Sequence, residues 1–371
     1  MTQRIGVGII GVTPAENPAS AGWANAAHIP ALRALPDYRI SAVCSRTRAS
    51  AEATARAFGI PRVFDDPREL AACPDVDVVA VTVRVPGHLA LVEAALAAGK
   101  RVYCEWPLGN GLAEAERMAA LARERNLHCA VGVQARVAPA VRYVRDLVAQ
   151  GYVGEVLSTS LIGSGMNWGP GMIRRNLYTL DKANGATLLS IPAGHALDAL
   201  CHCLGAFAEV SATSALRRRT IRLPGESEDH PATAEDQWAI TGVLASGAVV
   251  SVHYRGGFVR GSNLVWEING TEGDLRLTSD SGHLQILQPR LQGAHGSAML
   301  ADLAVPPSYR LVEGLGDPAL NVAQMYALYA GDIRNGTRDC PGFDDAVATH
   351  RLLAAIEAAA KTGQRQRIQG A

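Results

Sequence analysis

Along the first third of the chain, apolar and β-rich residues gather in short runs at 5–10, 38–44, 77–83, 101–106 and 128–133. Runs of this length suit strands, and a strand buried on both faces reads as a continuous apolar block. Between them lie stretches with helical spacing at 23–35, 47–58, 86–98 and 112–125, of which 86–98 opens on Pro86 and stops at Gly99. A short β-rich run at 62–64 adds a further strand. This alternation predicts a parallel sheet with helices on both faces, an α/β domain over residues 1–135. Beyond it the pattern changes. After a helix at 139–150 come β-rich segments near 155–165, 207–217, 236–244, 248–255, 263–270 and 274–279, with helices at 193–204, 321–335 and 344–361. Strands joined by turns as short as 245–247 and 270–273 predict a large, open, mainly antiparallel sheet, so 136–371 reads as an α+β domain for substrate and dimerisation.

The stretch "IGVGIIG" holds the letters G-x-G-x-x-G at Gly6, Gly8 and Gly11. In a dinucleotide fingerprint the first glycine ends the strand and the second lets backbone approach a pyrophosphate. Gly6 and Gly8 lie inside the apolar run, so the literal match is out of register and the turn comes at Gly11. A loop rich in Pro, Ala and Ser follows as far as Gly22, and such a loop can aim amides at a phosphate. Ligands of parallel sheets bind beyond the carboxyl ends of the strands. Those ends are Gly11, Ser45, 83–88, 105–108 and 134–136, and their convergence predicts a Rossmann-type dinucleotide site. Its candidates are Gly11, Thr13, Gly22 and Trp23 at the phosphates, then Val83, Val85, Pro86 and His88, then Glu105, Trp106 and Pro107, and finally Gln134. An acid after the second strand would bind a ribose 2′-hydroxyl; Ser45-Arg46-Thr47-Arg48 can instead hold a 2′-phosphate by charge-assisted hydrogen bonds. NADP is therefore favoured and NAD stays open, while Ser45 or Thr47 also suits a plain helix cap.

With 371 residues and 48% hydrophobic composition the chain can fill two cores. Its 35 basic residues balance 35 acidic ones, which argues against nucleic acid or an anionic membrane as partner, and Arg217-Arg218-Arg219 reads as a solvated loop. No apolar run approaches the about eighteen residues of a membrane span and no charged leader precedes the first strand, so a soluble cytoplasmic chain is expected. Seven scattered cysteines suit reduced core thiols, and Cys201-His202-Cys203 lacks a second ligand pair, so no metal is expected.

The order of the parts carries a resemblance. "CEWPLGN" closes the fifth strand, "VQARVAPAVRYVRDLVAQGYVGEV" crosses the junction, and "GATLLSIPAGHALDAL" and "INGTEGDLRL" follow. Over nearly the whole chain this resembles the Gfo/Idh/MocA oxidoreductases. "VRVPGH", Glu105-Trp106, Ser190, and Gly194 and His195 with Asp198 are similar to the branch of the yeast galactose-regulon repressor, which binds a dinucleotide but works by binding another protein. The long first loop ending in Gly22-Trp23-Ala24 shares that resemblance and puts the phosphate-facing loop at 11–22.

The resemblance implies a Glu-Lys-Pro motif, whose lysine touches the nicotinamide ribose and the reacting hydroxyl, and a later Asp followed by His. Here Trp106 stands at the lysine and Ser190 at the Asp. Lysine steadies developing charge and tunes proton transfer. Tryptophan does neither, though its ring can stack on a sugar or the nicotinamide. His195 remains, and imidazole exchanges protons near neutral pH, unless it is simply satisfied within its helix turn. The polar, Gly-rich connection "GSGMNWGPGMIRRNLYTLDKANG" is a candidate substrate loop. In it Tyr178 is the best proton donor, Lys182 the nearby amine, Trp168 a sugar-stacking ring, and Arg174 and Arg175 carboxylate or phosphate holders; Arg136 faces the strand ends. Structural or solvated roles stay open for each.

Two readings follow. One is an NAD(P)-dependent oxidoreductase moving hydride to or from a sugar, polyol or related carbonyl compound. The other is a non-catalytic dinucleotide-binding regulator. A sheet with too few helices to cover both faces predicts a homodimer through it.

Overall fold

The computed structural model describes residues 3–13 and 22–368. The first apolar runs become β1 (Ile5–Ile10), β2 (Tyr38–Cys44), β3 (Arg62–Phe64), β4 (Val78–Val81), β5 (Arg101–Glu105) and β6 (Ala130–Gly132). They form a six-stranded sheet in the order β3-β2-β1-β4-β5-β6, every neighbouring pair parallel. That order reverses between β1 and β4, which creates the switch point where doubly wound sheets take ligands. All of β1 is buried. Its inner glycines serve packing: a Cβ on Gly6 would lie 2.0 Å from the Asp75 carbonyl oxygen, and one on Gly8 would lie 2.7 Å from Leu70. Gly11 makes the turn at φ +106°, a region that excludes most side chains.

The covering helices are α1 (Ile29–Ala34), preceded by a π-wound turn at Ala24–His28, then α2 (Arg48–Phe58), α3 (Pro67–Ala72), α4 (His88–Ala97) and α5 (Leu112–Glu124). Helix α3, absent from the sequence reading, is short and starts on Asp66, whose side chain accepts from the Arg68 amide.

In the second part of the chain α6 (Pro139–Ala149) leads into β7 (Val156–Gly165), and α7 (Gly194–Leu204) follows a π-wound turn at Leu189–Ala193. The remaining strands are β8 (Phe207–Ala215), β9 (Thr220–Arg222), β10 (Asp229–Pro231), β11 (Gln237–Leu244), β12 (Val249–Gly256), β13 (Leu264–Gly270), β14 (Gly273–Ser279), β15 (Arg290–His295), β16 (Ala301–Asp302) and β17 (Gln366–Arg367). Nine of these strands make one sheet, β16-β15-β14-β13-β7-β12-β11-β8-β17, while β9 and β10 pair separately. The sheet is antiparallel except for β7 against β12, so it is mixed at its centre. Its buried face carries Leu161, Trp238, Ile240, Val252, Tyr254 and Trp266. The opposite face leaves Ile162 at 42% and Val249 at 58% exposure, with Ile162 opposite His253 and Val265 in adjacent strands.

Helices α8 (Ala319–Asn335) and α9 (Phe343–Thr362) complete the chain's helical segments. By contacts the chain divides into a first unit, 1–134 with 311–347, and a second unit, 135–310 with 348–371. Residues 311–347, expected in the second domain, thus group with the first. The cause is α8, whose Tyr326 carbonyl accepts from the Tyr38 hydroxyl at 2.8 Å and whose Tyr329 hydroxyl donates to the His128 carbonyl at 2.7 Å. Among the described residues no helix is long and apolar enough to cross a membrane.

Candidate functional site

In the first unit the chain leaves β1 at Gly11, where a Cβ would come within 2.9 Å of the Thr82 backbone. Residues 14–21, most of the expected phosphate loop, lie outside the described residues. Its two ends are tied: the Gly22 amide donates to Thr13 Oγ1 at 3.2 Å, and the Thr13 amide to Asn25 Oδ1 at 3.3 Å. Trp23 Nε1 and Asn25 Nδ2 are buried donors with no partner among the described residues. At the end of β2, Thr47 caps α2 by accepting from the Ser50 amide, and Arg48 pairs with Glu52 at 3.2 Å. Ser45 is half-buried beside them. Arg46 is exposed and has no hydrogen-bond or ion-pair partner among the described residues, so its guanidinium is available to an anion.

After β4, Val83 and Val85 lead into α4, and His88 is buried at its first residue. The ring meets the Pro107 and Leu108 carbonyls through Nδ1 at 2.9 and 3.3 Å and the Val83 carbonyl through Nε2 at 3.0 Å. It therefore ties the loop after β4 to the turn after β5, rather than presenting a nitrogen to a ligand. Burial pulls its imidazole below the usual range, outweighing the opposite pull of those carbonyls. Trp106 is 5% exposed and joined to Pro107 by a cis peptide.

At the end of β5 the Glu105 carboxylate, 12% exposed, accepts from His28 Nε2 at 2.9 Å and from Gln134 Nε2 at 2.7 and 2.9 Å. Gly132 makes room for the pair: its Cβ would lie 2.7 Å from Glu105 Oε1 and 2.9 Å from Gln134 Nε2. Gln134 is fully buried, and its Oε1 has no partner among the described residues.

In the second unit His195 sits buried in the first turn of α7, its imidazole pushed down to about 3 by burial and by nearby His283. His283, after β14, accepts from the Met166 amide at 3.0 Å and faces the Gln285 amide at 3.2 Å, and burial pushes it down to about 4. Both rings are thus neutral at ordinary pH. The sequence reading missed His283 and Gln285; the one available signal was polar residues in "SGHLQ" directly after a strand. Asp198, one turn along α7, accepts from Arg136 Nε at 2.9 Å and Nη2 at 2.5 Å and from Thr349 Oγ1 at 2.9 Å. The Gly-His…Asp motif therefore uses its acid to neutralise Arg136. Ser190 Oγ donates to the Gly185 carbonyl at 2.7 Å and accepts from the Thr187 amide at 2.8 Å, bracing the turn before α7.

The polar connection behaves differently from its reading. Trp168 is 1% exposed, with Nε1 donating to the Thr179 carbonyl at 2.9 Å, so its ring is a core pin and has no free face for a sugar. Arg174 is an exposed partner of Glu226 at 2.6 Å, and Lys182 of Glu235 at 2.8 Å, so neither is a bare cation. Tyr178 is half-buried, in a short 3-10 segment at Arg174–Leu180, with its carbonyl accepting from Asn184 Nδ2. Glu226, Glu228 and His230 bring potential metal-ligand atoms within 4.8 Å of one another, with Glu226 already bound to Arg174.

Residues 5–133 match the oxidoreductase family with an NAD-binding Rossmann fold, and residues 139–279 match the C-terminal domain of Gal80p. The dehydrogenase aclE of Aspergillus oryzae is 31% identical over 98% of both chains. The galactose/lactose metabolism regulatory protein GAL80 of Kluyveromyces lactis is 28% identical, covering 77% of this chain and 66% of its own. The super-repressor mutant of Gal80p from Saccharomyces cerevisiae shares the fold, with a TM-score of 0.87 at 22% identity over 99% of this chain and 98% of its own. The chain belongs to the Gfo/Idh/MocA oxidoreductase family, the NAD-binding Rossmann oxidoreductases, and is similar to Gal80 in its second part.

Proposed function

We propose that this protein is an NADP-dependent oxidoreductase acting on an uncharged hydroxylated substrate, a sugar, polyol or related carbonyl compound. The observation that carries the reading is the built anionic cluster at the end of β5, Glu105 clamped by His28 and Gln134, in a chain similar end to end to a dehydrogenase. The residues fit a dinucleotide. Gly11 keeps the first turn free of a side chain, Arg46 leaves a guanidinium for a 2′-phosphate, and Gln134 offers a buried acceptor without a partner among the described residues. Ser45 and Thr47 flank Arg46 at the adenine-ribose side, and Gly11, Thr13, Gly22 and Trp23 are the described residues at the phosphate side. When bound, the dinucleotide supplies the hydride acceptor or donor.

The rest of the chemistry falls to the protein. Substrate charge follows from the bases: Arg136, Arg174 and Lys182 each have a carboxylate partner, and His195 and His283 are neutral, which supports a substrate without carboxylate or phosphate. Trp106 supplies an apolar surface where lysine would supply a cation, so the proton must travel by another side chain. Tyr178 can donate a proton, and His195, a neutral imidazole pushed down to about 3, can take a hydroxyl proton only where bound substrate and dinucleotide raise its basicity. Lys182, held by Glu235, is the weakest of the three candidates.

The test is NADP reduction and NADPH oxidation across sugars, polyols, carbonyl compounds and acidic analogues, with His195→Ala and Tyr178→Phe alongside the wild type. Turnover of a neutral substrate that falls ~100-fold or more in one variant supports the reading, since general acid-base groups act on that scale. Turnover confined to acids contradicts the charge argument. A second reading, a dinucleotide-binding regulator, is favoured by buried Trp106 in the lysine position and is the outcome if NADPH binds and nothing turns over.

A further inference from the structure

His28 enters the dinucleotide site only indirectly. Its side chain is fully buried and both ring nitrogens are taken up by protein partners, Tyr326 and Glu105. Its two nitrogens have fixed roles. A carboxylate only accepts, so Nε2 must carry the hydrogen that reaches Glu105 Oε1 at 2.9 Å. With one hydrogen on the ring, Nδ1 is then the acceptor, and the Tyr326 hydroxyl stands 2.9 Å away to donate. Burial holds Tyr326 far above the usual phenol range, which keeps that hydroxyl protonated. In that tautomer the hydrogen bonds run in one direction, from Tyr326 through His28 to Glu105.

The ring is also locked sterically. Its edge meets Tyr103 at 5.3 Å and 88° and Tyr326 at 5.7 Å and 81°, while Tyr103 and Tyr326 stack at 4.7 Å. Tyr38 holds the Tyr326 backbone by a 2.8 Å bond. Two directional donors, His28 and Gln134, thus converge on one half-buried carboxylate, with the bare Gly132 leaving room for it. For stability alone apolar residues of similar volume would serve as well, because desolvating a carboxylate is costly. The position of that carboxylate gives the reason. In the order β3-β2-β1-β4-β5-β6 the residue after β2 meets the adenine ribose, so the end of β5, across the switch point, lies on the nicotinamide side.

We infer that His28 is a positioning residue for the nicotinamide half of the dinucleotide: with its tautomer set by Tyr326, it holds the Glu105 carboxylate fixed in direction. This rests on the dinucleotide reading above. The same arrangement, a buried ring orienting a carboxylate that does the contacting, recurs wherever second partners fix a functional group.

The test compares two ligands on the full chain, NADPH and 2′-phospho-ADP-ribose, which lacks the nicotinamide nucleoside's base. His28→Leu should weaken NADPH about tenfold, the scale of one hydrogen bond to a charged group, and leave 2′-phospho-ADP-ribose within about twofold. His28→Gln, which keeps a donor near the Nε2 position, should restore most of the loss. Tyr326→Phe should shift NADPH affinity in the same sense and serves if His28→Leu does not fold. Equal loss of both ligands, unchanged NADPH affinity, or no rescue by glutamine would overturn the assignment. A wild type that binds 2′-phospho-ADP-ribose but gains nothing from the nicotinamide also overturns it, and one that binds neither ligand overturns the dinucleotide reading itself.

Discussion

Arg136 separates a structural from a substrate-binding role most sharply, because its guanidinium and the 1% exposed Asp198 carboxylate form a two-point ion pair at 2.9 and 2.5 Å. Arg136→Leu strands that carboxylate with only the Thr349 hydroxyl still donating to it among the described side chains named above. Removing one partner of a buried pair costs about 3–5 kcal/mol, and for a unit of this size each kcal/mol lowers Tm by about 2–4 °C, so a fall of roughly 6–20 °C is expected. Arg136→Leu with Asp198→Leu should regain a large part, because apolar pairs of similar volume often replace a buried ion pair with little loss. Thermal unfolding by circular dichroism, with NADPH affinity measured on the same samples, gives both readouts. An Arg136→Leu protein with wild-type Tm and abolished ligand binding or turnover would refute the reasoning and return Arg136 to the substrate.

Arg46→Ala should remove most of a preference for NADPH over NADH, a charge-assisted contact of about 1.5–3 kcal/mol, and fluorescence titrations giving equal wild-type affinities for the two would sink the 2′-phosphate argument. His195, His283 and His350, buried and pushed down to about 3, 4 and 4, bind protons when unfolded that they exclude when folded. Their stabilisation is complete above pH 6.5 and is lost as pH falls toward 4, at up to ~1.4 kcal/mol per pH unit for each group, so denaturant midpoints should drop over that window and His350→Asn should flatten the slope. Ile162→Arg on the open sheet face should turn a homodimer into a monomer by light scattering, and a wild type that is already monomeric at micromolar concentration would rule out that interface.

How much of this was legible depended on distance along the chain. The parallel strands were readable because each is a local apolar block, and β2 and β3 fall on the expected residues 38–44 and 62–64. Gly11 and the Ser45-Arg46-Thr47 corner were readable for the same reason, since a turn and a cap are local events. His28 was not, because its meaning comes from Glu105 and from Tyr326, which is 298 positions away. The return of 311–347 to the first unit was hidden likewise, as α8 has an ordinary helical pattern and only its tyrosines' distant partners place it. Trp168 was misread because a tryptophan in a polar, Gly-rich loop looks exposed. Gly165 in that loop and Gly256 at the end of β12 instead make its slot: a Cβ on Gly165 would lie 2.9 Å from the ring, and one on Gly256 2.4 Å from the Trp168 carbonyl oxygen. His195 was found by pattern, but its neutrality follows from burial and from His283, which no local spacing encodes.

The central claim is that this chain carries hydride. Its most direct test is transfer of the label from NADPH deuterated at the nicotinamide C4 to sugar-derived and other uncharged carbonyl compounds, with products read by mass spectrometry against a no-enzyme control. The account expects deuterium on the carbinol carbon of at least one product, formed at a rate that His195→Ala or Tyr178→Phe reduces. Tight NADPH binding with no deuterium transferred to any compound would contradict it and make the protein a dinucleotide-binding regulator.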